Sequence, residues 1–321
     1  MAFFNIYRQM GVRKLAMPTR LLSLPPIAST YQTRALSRLP DIHYYLAKGL
    51  EGVDHQEYRD IHSFTRAIDS NTSQLCSGNA DESLCQYIVF SPVTKEELYK
   101  IEHLRNTHYK GLRFHYLNDP KALIVKIMVS KIHELVHRQF GRILIKKVEG
   151  MHLGRALLDI GSATYTGTAG RKQADGAYIP QFTRNYKTDW PTLVFECGVS
   201  QYAPSLKAGG RWWLENSSGQ VNIALLFFVS KLARTIRIEQ WVAETVPNPQ
   251  ATEGRSHLLT ITPQIGDAIL IDAHSITGGT LDLSFKKIFL REPVAAKGET
   301  NFTFTEQDLR DYYDDVWRVR R

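Results

Sequence analysis

The sequence predicts a mixed α/β protein in which helices flank a central β-sheet, and two kinds of pattern support this class. Apolar residues recur at helical spacing in SPVTKEELYKIEHLRN (91–106) and KIHELVHRQFGRILIKKV (131–148), which predicts two amphipathic helices. Apolar runs of strand length follow, and the two most apolar are LVFECGV (193–199) and VNIALLFFV (221–229). A chain that carries both patterns is expected to pack helices against a sheet.

The first third of the chain is predicted to be mainly helical. Residues 41–70 are polar with scattered aromatic residues, which is typical of short helices, and NTSQLCSGNADESLC (71–85) has the composition of a loop. The helix at 91–106 begins with Ser and Thr followed by Glu, which are the residues of a capping box. LRFHYL (112–117) and ALIVKIMV (122–129) then predict two strands around an Asn-Asp-Pro turn.

The rest of the chain alternates strands with helices. After the helix at 131–148, DIGSATYTG and ADGAYIP predict short strands, and LVFECGV and VNIALLFFV predict buried ones. PSLKAGGRWWLENSSGQ (204–220) predicts a helix between the last two, so the order is helix, three strands, helix and strand. HLLTI, AILID and LSFKKIFL are expected to add strands, and TEQDLRDYYDDVWRVRR (305–321) predicts a terminal helix capped by Thr305 and Asp308.

Composition divides the chain into four segments. Residues 1–40 form a basic leader that is expected to be disordered, 41–110 a helical N-terminal region, 111–295 the main domain and 296–321 a C-terminal helix. The leader has no acidic residue and six basic residues, which are Arg8, Arg13, Lys14, Arg20, Arg34 and Arg38. This composition is compatible with a mitochondrial transit peptide, and a disordered tail is the alternative.

The net charge of +8 comes mainly from this leader. Removing its six basic residues leaves 34 basic and 32 acidic residues, so the rest of the chain has a net charge of +2. A nearly neutral body lacks the overall positive charge that is typical of proteins that bind nucleic acid non-specifically.

Cysteine content and hydropathy limit the location. Three cysteines, Cys76, Cys85 and Cys197, do not make a disulfide framework, so we expect a reducing intracellular location in the cytoplasm or nucleus, unless the leader directs the chain to mitochondria. The longest apolar run, IALLFFV (223–229), is far shorter than a bilayer span, so no membrane partner is expected.

Glu196 is an acidic residue inside an apolar strand, where an unpaired charge is unfavourable. Asp175 stands 21 residues earlier, at the start of another short strand. If the two strands pair as a hairpin across residues 181–189, both carboxylates meet at one end of the sheet. Together with a backbone carbonyl they would form an oxygen-ligand site suited to Mg²⁺ or Mn²⁺. Alternatively, Asp175 is a turn residue and Glu196 a structural carboxylate.

These residues resemble the PD-(D/E)xK restriction-endonuclease-like superfamily, in which a helix precedes a strand with Asp, and a buried strand with Glu precedes a helix and another strand. The resemblance is closer to a group of uncharacterised fungal proteins and spans roughly residues 110–295. It rests on DIGSATYTG (159–167), KQADGAYIP (172–180), WPTLVFECGVSQ (190–201) and RWWLENSSGQVNIALL (211–226). It implies a restriction-endonuclease-like mixed β-sheet core flanked by helices, with an N-terminal helical extension and a C-terminal helix. It also implies a Mg²⁺-dependent phosphodiesterase that acts on DNA or RNA.

Carried over by position, Asp175 and Glu196 match the acidic residues of the motif, and the backbone carbonyl of Cys197 would complete the metal ligands. The motif lysine is expected at position 198, where this chain has Gly198. Three other cations are candidates for its role: Lys172, Lys207 and Arg211. Arg211 would serve only to stabilise phosphoryl charge, because arginine stays protonated. Two hypotheses follow, a metal-dependent endonuclease and a non-catalytic binding or scaffold module with the same fold.

A competing motif, His-Glu-x-x-His, stands at His133–His137. On a helix the two histidines lie one turn apart and can hold Zn²⁺, with Glu134 as the general base of a metallopeptidase. The extended form of the motif is absent, so a peptidase would need His152 or Asp159 as a third ligand. Alternatively, the histidines flank the apolar stripe of the helix, and Glu134 is an accessory acid near the pair of carboxylates.

Overall fold

The computed structural model describes residues 50–77, 86–127, 131–199, 203–247 and 259–318. The predicted leader at 1–40 lies outside these residues. Part of the predicted loop at 71–85 is described, and residues 71–77 there continue a helix instead.

Strands and helices alternate along the described residues. The strands are β1 (Asp54–Glu57), β2 (Tyr87–Ser91), β3 (Leu112–Leu117), β4 (Ala122–Ile127), β5 (Leu157–Asp159), β6 (Thr164–Thr166), β7 (Gly170–Gln173), β8 (Gly176–Pro180), β9 (Leu193–Val199), β10 (Ile223–Ser230), β11 (Thr235–Pro247), β12 (Leu259–Ile271), β13 (Ile276–Thr277), β14 (Leu281–Leu283) and β15 (Phe302–Phe304). The helices are α1 (Ile61–Ser77), α2 (Lys95–Thr107), α3 (Lys131–Gly150), α4 (Ala203–Asn216), α5 (Phe285–Phe289) and α6 (Glu306–Trp317). Two short 3₁₀ turns are Gly154–Ala156 and Ala295–Lys297.

The strands form two mixed sheets and one small antiparallel pair. The first sheet has the order β1-β2-β4-β3-β7-β6, the second has the order β13-β12-β11-β10-β9-β8-β5, and β14 pairs with β15. Strands β1 and β2 pair in parallel, as do β9 and β10, while the other neighbours are antiparallel. The predicted class, mixed α/β with a mixed sheet core flanked by helices, is confirmed.

The described part of the predicted helical N-terminal region, residues 41–110, contains strands as well as helices. Strands β1 and β2 lie in that region, and β2 pairs with β4 from the main domain. Val89 and Phe90 of β2 are each 1 % exposed. Phe90 packs against residues of α1 and α2, and Val89 packs on the other face against Leu50 and Val53. The predicted boundary at residue 110 therefore runs through the first sheet, because β2 lies before it and β4 after it.

The second sheet is apolar on both faces, and a different set of helices covers each face. Phe195 of β9 and Phe227 of β10 face Phe140 of α3, with ring centroids 5.6 and 5.1 Å from that of Phe140. On the opposite face, Val194 belongs to an apolar cluster with Trp213 of α4. Strands β8 and β9, then α4 and β10, follow α3 in the predicted order.

The end of the chain differs from the prediction at LSFKKIFL. Leu281–Leu283 is a strand, but the following residues form α5, because the Ser284 side chain accepts a hydrogen bond from the Lys287 amide and begins the helix. The predicted terminal helix is confirmed as α6, and Thr305 and Asp308 form its capping box. No helix among the described residues is both long and apolar enough to cross a membrane.

Candidate functional site

Antiparallel pairing of β8 with β9 brings the two predicted acidic residues together, as the hairpin hypothesis expects. Gly176 lies opposite Phe195, and the Asp175 amide donates to the Phe195 carbonyl at 3.1 Å. Asp175 stands where the chain leaves β7 of the first sheet and enters β8 of the second. Asp175 and Glu196 are each 3 % exposed. The site therefore lies between the two sheets.

Side chains and backbone from both sheets and from α3 contact the Asp175 carboxylate. Its Oδ2 accepts hydrogen bonds from the Cys197 amide at 2.8 Å and from Lys126 Nζ at 2.7 Å, and it lies 3.3 Å from His133 Nε2. The same Lys126 Nζ donates to the Cys197 carbonyl at 2.6 Å. One carboxylate oxygen and one carbonyl oxygen thus converge on a single ammonium group.

Burial and nearby charge together decide whether Asp175 and Lys126 are ionised. Burial would raise the pKa of Asp175, but Lys126 and then His133 outweigh it and hold the pKa well below its usual range. Burial would lower the pKa of Lys126, but the Asp175 carboxylate raises it above its ordinary value. Asp175 and Lys126 are therefore an ion pair at neutral pH.

His133 is a neutral imidazole whose tautomer follows from its partner. Burial lowers its pKa below the ordinary value. Its Nε2 lies 2.8 Å from the Cys197 carbonyl, and because a carbonyl can only accept, Nε2 carries the proton. Nδ1 then carries a lone pair, and it has no hydrogen-bond partner in the described part of the chain.

Glu196 pairs with a different lysine, Lys172. Its Oε1 accepts from Trp213 Nε1 of α4 at 2.5 Å and lies 3.1 Å from Lys172 Nζ of β7. Helix α4 comes close at Gly209, where a Cβ would be 3.4 Å from Lys172 Nζ. Of the three cations named from the sequence, Lys172 is therefore the one that contacts the carboxylate pair.

The other two candidate cations have different partners. Lys207 Nζ lies 3.4 Å from Oε1 of Glu239, and Arg211 Nε donates to Glu215 at 2.6 Å. Glu239 is a buried carboxylate that the sequence analysis did not single out. It lies opposite Leu226, which lies opposite Glu196, so the two glutamates are in one row across three strands.

Lys126 is the functional candidate that the sequence analysis missed. It is 6 % exposed and is the penultimate residue of ALIVKI, strand β4, where it is the single charge among apolar residues. The same kind of signal identified Glu196. Position 198, where the motif expects lysine, faces α4, and a Cβ on Gly198 would be 3.3 Å from Leu206 Cδ2. Packing of α4 on β9 thus leaves little room for a longer side chain there.

We call Lys126, Lys172, Asp175 and Glu196 the charged junction. Its two carboxylates and two ammonium groups carry no net charge. All four side chains line a cavity of about 20 Å³, which holds about one water-sized occupant. A larger cavity of about 510 Å³ lies between Phe182 and residues near Arg291, and none of the four lines it.

A second cluster of ligand-type side chains lies at the start of α3. One ligand atom each from His133, Glu134 and His137 lie within 4.8 Å of one another, and neither His152 nor Asp159 belongs to the cluster in the described residues. The His137 imidazole, and then Arg138 at 2.8 Å, lower the pKa of Glu134 to about 2. Glu134 also lies 3.7 Å from Arg113.

Comparisons with known proteins include a distant structural likeness. No family model matches the chain, and no curated protein matches it. Among solved structures, the chain is similar to the crystal structure of "a putative nuclease belonging to DUF820" from Anabaena variabilis ATCC 29413, with a TM-score of 0.34 and 10 % sequence identity. The match covers 62 % of this chain and 90 % of that one.

Proposed function

We propose that the protein is a nuclease-type, metal-dependent phosphodiesterase whose motif lysine is supplied by Lys126. The observation that carries the proposal is the position of Lys126 Nζ, 2.7 Å from Asp175 Oδ2 and 2.6 Å from the Cys197 carbonyl. The resemblance described above implies that a lysine lies beside the two acidic residues. Here β4 of the first sheet supplies it, since Gly198 cannot.

The chemistry of the donor set fits a hard divalent cation. Asp175, Glu196 and the Cys197 carbonyl offer only oxygen ligands, which Mg²⁺ and Mn²⁺ prefer. Lys126 Nζ contacts two of these oxygens, those of Asp175 and of the Cys197 carbonyl. A bound Mg²⁺ would supply an activated water and stabilise negative charge on a phosphodiester.

The chain's own cations have roles that follow from their contacts. Lys126 and Lys172 each lie beside one carboxylate and can donate hydrogen bonds to a phosphoryl oxygen or to water. Trp213 holds the Glu196 carboxylate through its indole N–H, which orients the second acidic group. The near-neutral charge outside the leader means that substrate binding depends on charge concentrated at the site.

A second candidate function is a non-catalytic module with the same fold. Lys126 already satisfies both Asp175 and the Cys197 carbonyl, the charged junction is neutral, and its cavity of about 20 Å³ is too small for a phosphodiester. In this hypothesis the ion pairs fix how the two sheets pack, a role that buried charges have in some proteins.

Cleavage assays on the full chain separate these two functions. The purified protein is incubated with Mg²⁺ or Mn²⁺ and end-labelled single- and double-stranded DNA and RNA. We expect ion-dependent cleavage that Glu196→Gln and Lys126→Met each reduce by about 100-fold or more, the usual cost of losing an acid–base or charge-stabilising group. Lys131→Met, which removes an exposed lysine of α3, is the matched control and should cleave like the wild type.

Circular dichroism establishes that each variant is folded before its activity is compared. Absence of cleavage by the wild-type protein with every substrate and both ions would reject the phosphodiesterase and support the module. Cleavage that survives in Lys126→Met would remove Lys126 from the proposed role.

A further inference from the structure

The first two turns of α3 bring three ligand-type side chains to one place beside the charged junction. His133, Glu134 and His137 stand at positions i, i+1 and i+4 of the helix, and their ligand atoms lie within 4.8 Å of one another. Glu134 Oε2 and His137 Nε2 are 3.6 Å apart. Two ligands of a tetrahedral ion with bonds of about 2.0–2.1 Å are roughly 3.3 Å apart, so this pair needs little adjustment to hold one ion.

Two imidazole nitrogens in this cluster lack the partner that a buried polar atom normally has. His133 is 0 % and His137 is 5 % exposed. Within the described residues, His133 Nδ1 makes no hydrogen bond, and His137 Nε2 makes none either, since Glu134 Oε2 lies 3.6 Å away. Buried polar groups left without a partner are uncommon and unfavourable, and a metal ion is one way to satisfy them.

The tautomer of His133 makes its free nitrogen a ligand. Its Nε2–H donates to the Cys197 carbonyl, so Nδ1 presents a lone pair and no proton. In a metal-binding histidine one ring nitrogen holds the metal and the other usually donates its proton to an oxygen, and in His133 these would be Nδ1 and Nε2.

We propose that the free nitrogens of His133 and His137 and one carboxylate oxygen of Glu134 bind a single zinc-type transition-metal ion. Two imidazoles and one carboxylate are ligands that Zn²⁺ accepts, whereas Mg²⁺ prefers oxygen alone. This site is distinct from the Asp175–Glu196 pair in ligand type and in position on the chain. Glu134, whose side chain is 35 % exposed, gives the ion a route from solvent.

The site differs from that of a His-Glu-x-x-His peptidase. In that motif the glutamate is the general base and a later residue supplies the third ligand. In the proposed site Glu134 is itself a ligand, because its carboxylate lies 3.6 Å from His137 Nε2. With Glu134 bound to the ion, no general base remains in the motif, so the proposed ion would position the junction through His133 instead of serving a peptidase.

His133 connects this ion to the charged junction. Its ring binds the ion on one edge, and on the other edge it donates to the Cys197 carbonyl and lies 3.3 Å from Asp175 Oδ2. A cation on Nδ1 makes Nε2–H a stronger donor, which holds the Cys197 carbonyl and Asp175 more firmly. The proposal does not depend on cleavage activity.

Metal titration of the full chain tests the site directly. Metal-free protein is titrated with Zn²⁺, and with Co²⁺ as a spectroscopic probe. We expect one Zn²⁺ per chain, visible absorption of a four- or five-coordinate cobalt site, and a higher melting temperature with Zn²⁺. His137→Gln should weaken Zn²⁺ binding at least tenfold, and so should Glu134→Gln, which alters a partly exposed side chain and is a second variant if the buried one does not fold.

Two further variants make the test specific. His103→Gln removes an exposed histidine of α2 and should bind Zn²⁺ like the wild type. Glu196→Gln should keep the zinc site even where it abolishes cleavage, so failure of one proposal is separable from failure of the other. Absence of stoichiometric Zn²⁺ in the wild type, or equal affinity in the wild type and in folded Glu134→Gln, would overturn the zinc site.

Discussion

Strand β9 borders two regions of opposite character, and their difference shows how this chain places charge inside an apolar core. Phe195 and Cys197 face α3 and belong to one large apolar cluster centred on Phe140. Glu196, the residue between them, belongs to the charged junction and pairs there with Lys172. Period-two alternation in a strand is what allows neighbouring residues to lie in such different surroundings.

The two regions contribute in different ways. The apolar cluster stabilises the fold through buried area and close packing, which depend on shape and need no specific partner. The charged junction stabilises only as a complete set, because a buried ion without its partner costs more than the pair contributes. Loss of one residue should therefore affect the two regions through different physical causes.

The largest loss of stability is expected for Phe140→Ala on the apolar side. The Phe140 ring contacts four other aromatic rings, those of Phe195, Phe227, Phe304 and Tyr312, and is 0 % exposed. Truncation leaves a cavity, so we expect a loss of about 3–5 kcal/mol in the free energy of unfolding, measured with urea. Phe182→Ala, which alters a side chain in a residue that is 79 % exposed, is the control and should change it by less than about 0.5 kcal/mol.

A loss of up to about 3–5 kcal/mol is expected for Lys126→Met in the charged junction, because it leaves the Asp175 carboxylate buried without its cation. Adding Asp175→Asn should recover part of the loss, since a neutral pair leaves no uncompensated charge. If the double variant loses as much unfolding free energy as the two single variants lose together, the two residues are not energetically coupled.

The Lys126→Met defect should also shrink at acid pH. In the wild type the depressed pKa of Asp175 contributes stability above the unfolded pKa of about 3.9, and this contribution is lost as the pH falls further. In the variant, burial without the lysine disfavours the charged form of Asp175, so protonation at low pH relieves the cost. Urea denaturation at pH values from 7 down to 3 measures the difference in unfolding free energy between the wild type and the variant. If this difference does not change with pH, the charge of Asp175 is not the cause of the defect.

The smallest effect is expected for Lys207→Met, which alters a partner of the buried Glu239 carboxylate. Lys207 lies 3.4 Å from Glu239, but its side chain is 37 % exposed, and Arg237 and Trp241 also donate to Glu239. We expect a change in unfolding free energy of about 0–1 kcal/mol. A loss as large as that of Lys126→Met would show that partial exposure does not distinguish the two lysines.

Local sequence patterns were sufficient to predict much of the second sheet. The alternation in β9 placed Glu196 and Cys197 on opposite sides, and the turn-rich stretch before it predicted the hairpin that brings Asp175 to Glu196. The terminal helix and its Thr305 cap followed from a motif of four consecutive positions. All of these depend on residues close together in sequence or on strand period, and both are visible without a fold.

The apolar pattern gave a wrong prediction where two local signals competed. LSFKKIFL has the apolar content of a strand, but Ser284 caps Lys287 and the segment becomes α5. Strands β1 and β2 escaped detection because each is short, with four and five residues, and their pairing partners lie elsewhere in the chain. A short run gives too few positions for its period to be recognised.

What the sequence determined alone is therefore the order of α3, β8, β9, α4 and β10, the hairpin of the two acidic residues and the faces of β9. The tertiary structure decided which cations meet those acids. Lys126 reaches Asp175 across 49 residues and the Cys197 carbonyl across 71, and it does so because β4 belongs to a different sheet that meets the second at Asp175. No periodicity spans such distances, since periodicity reports the face of one element and contact between elements depends on how they pack.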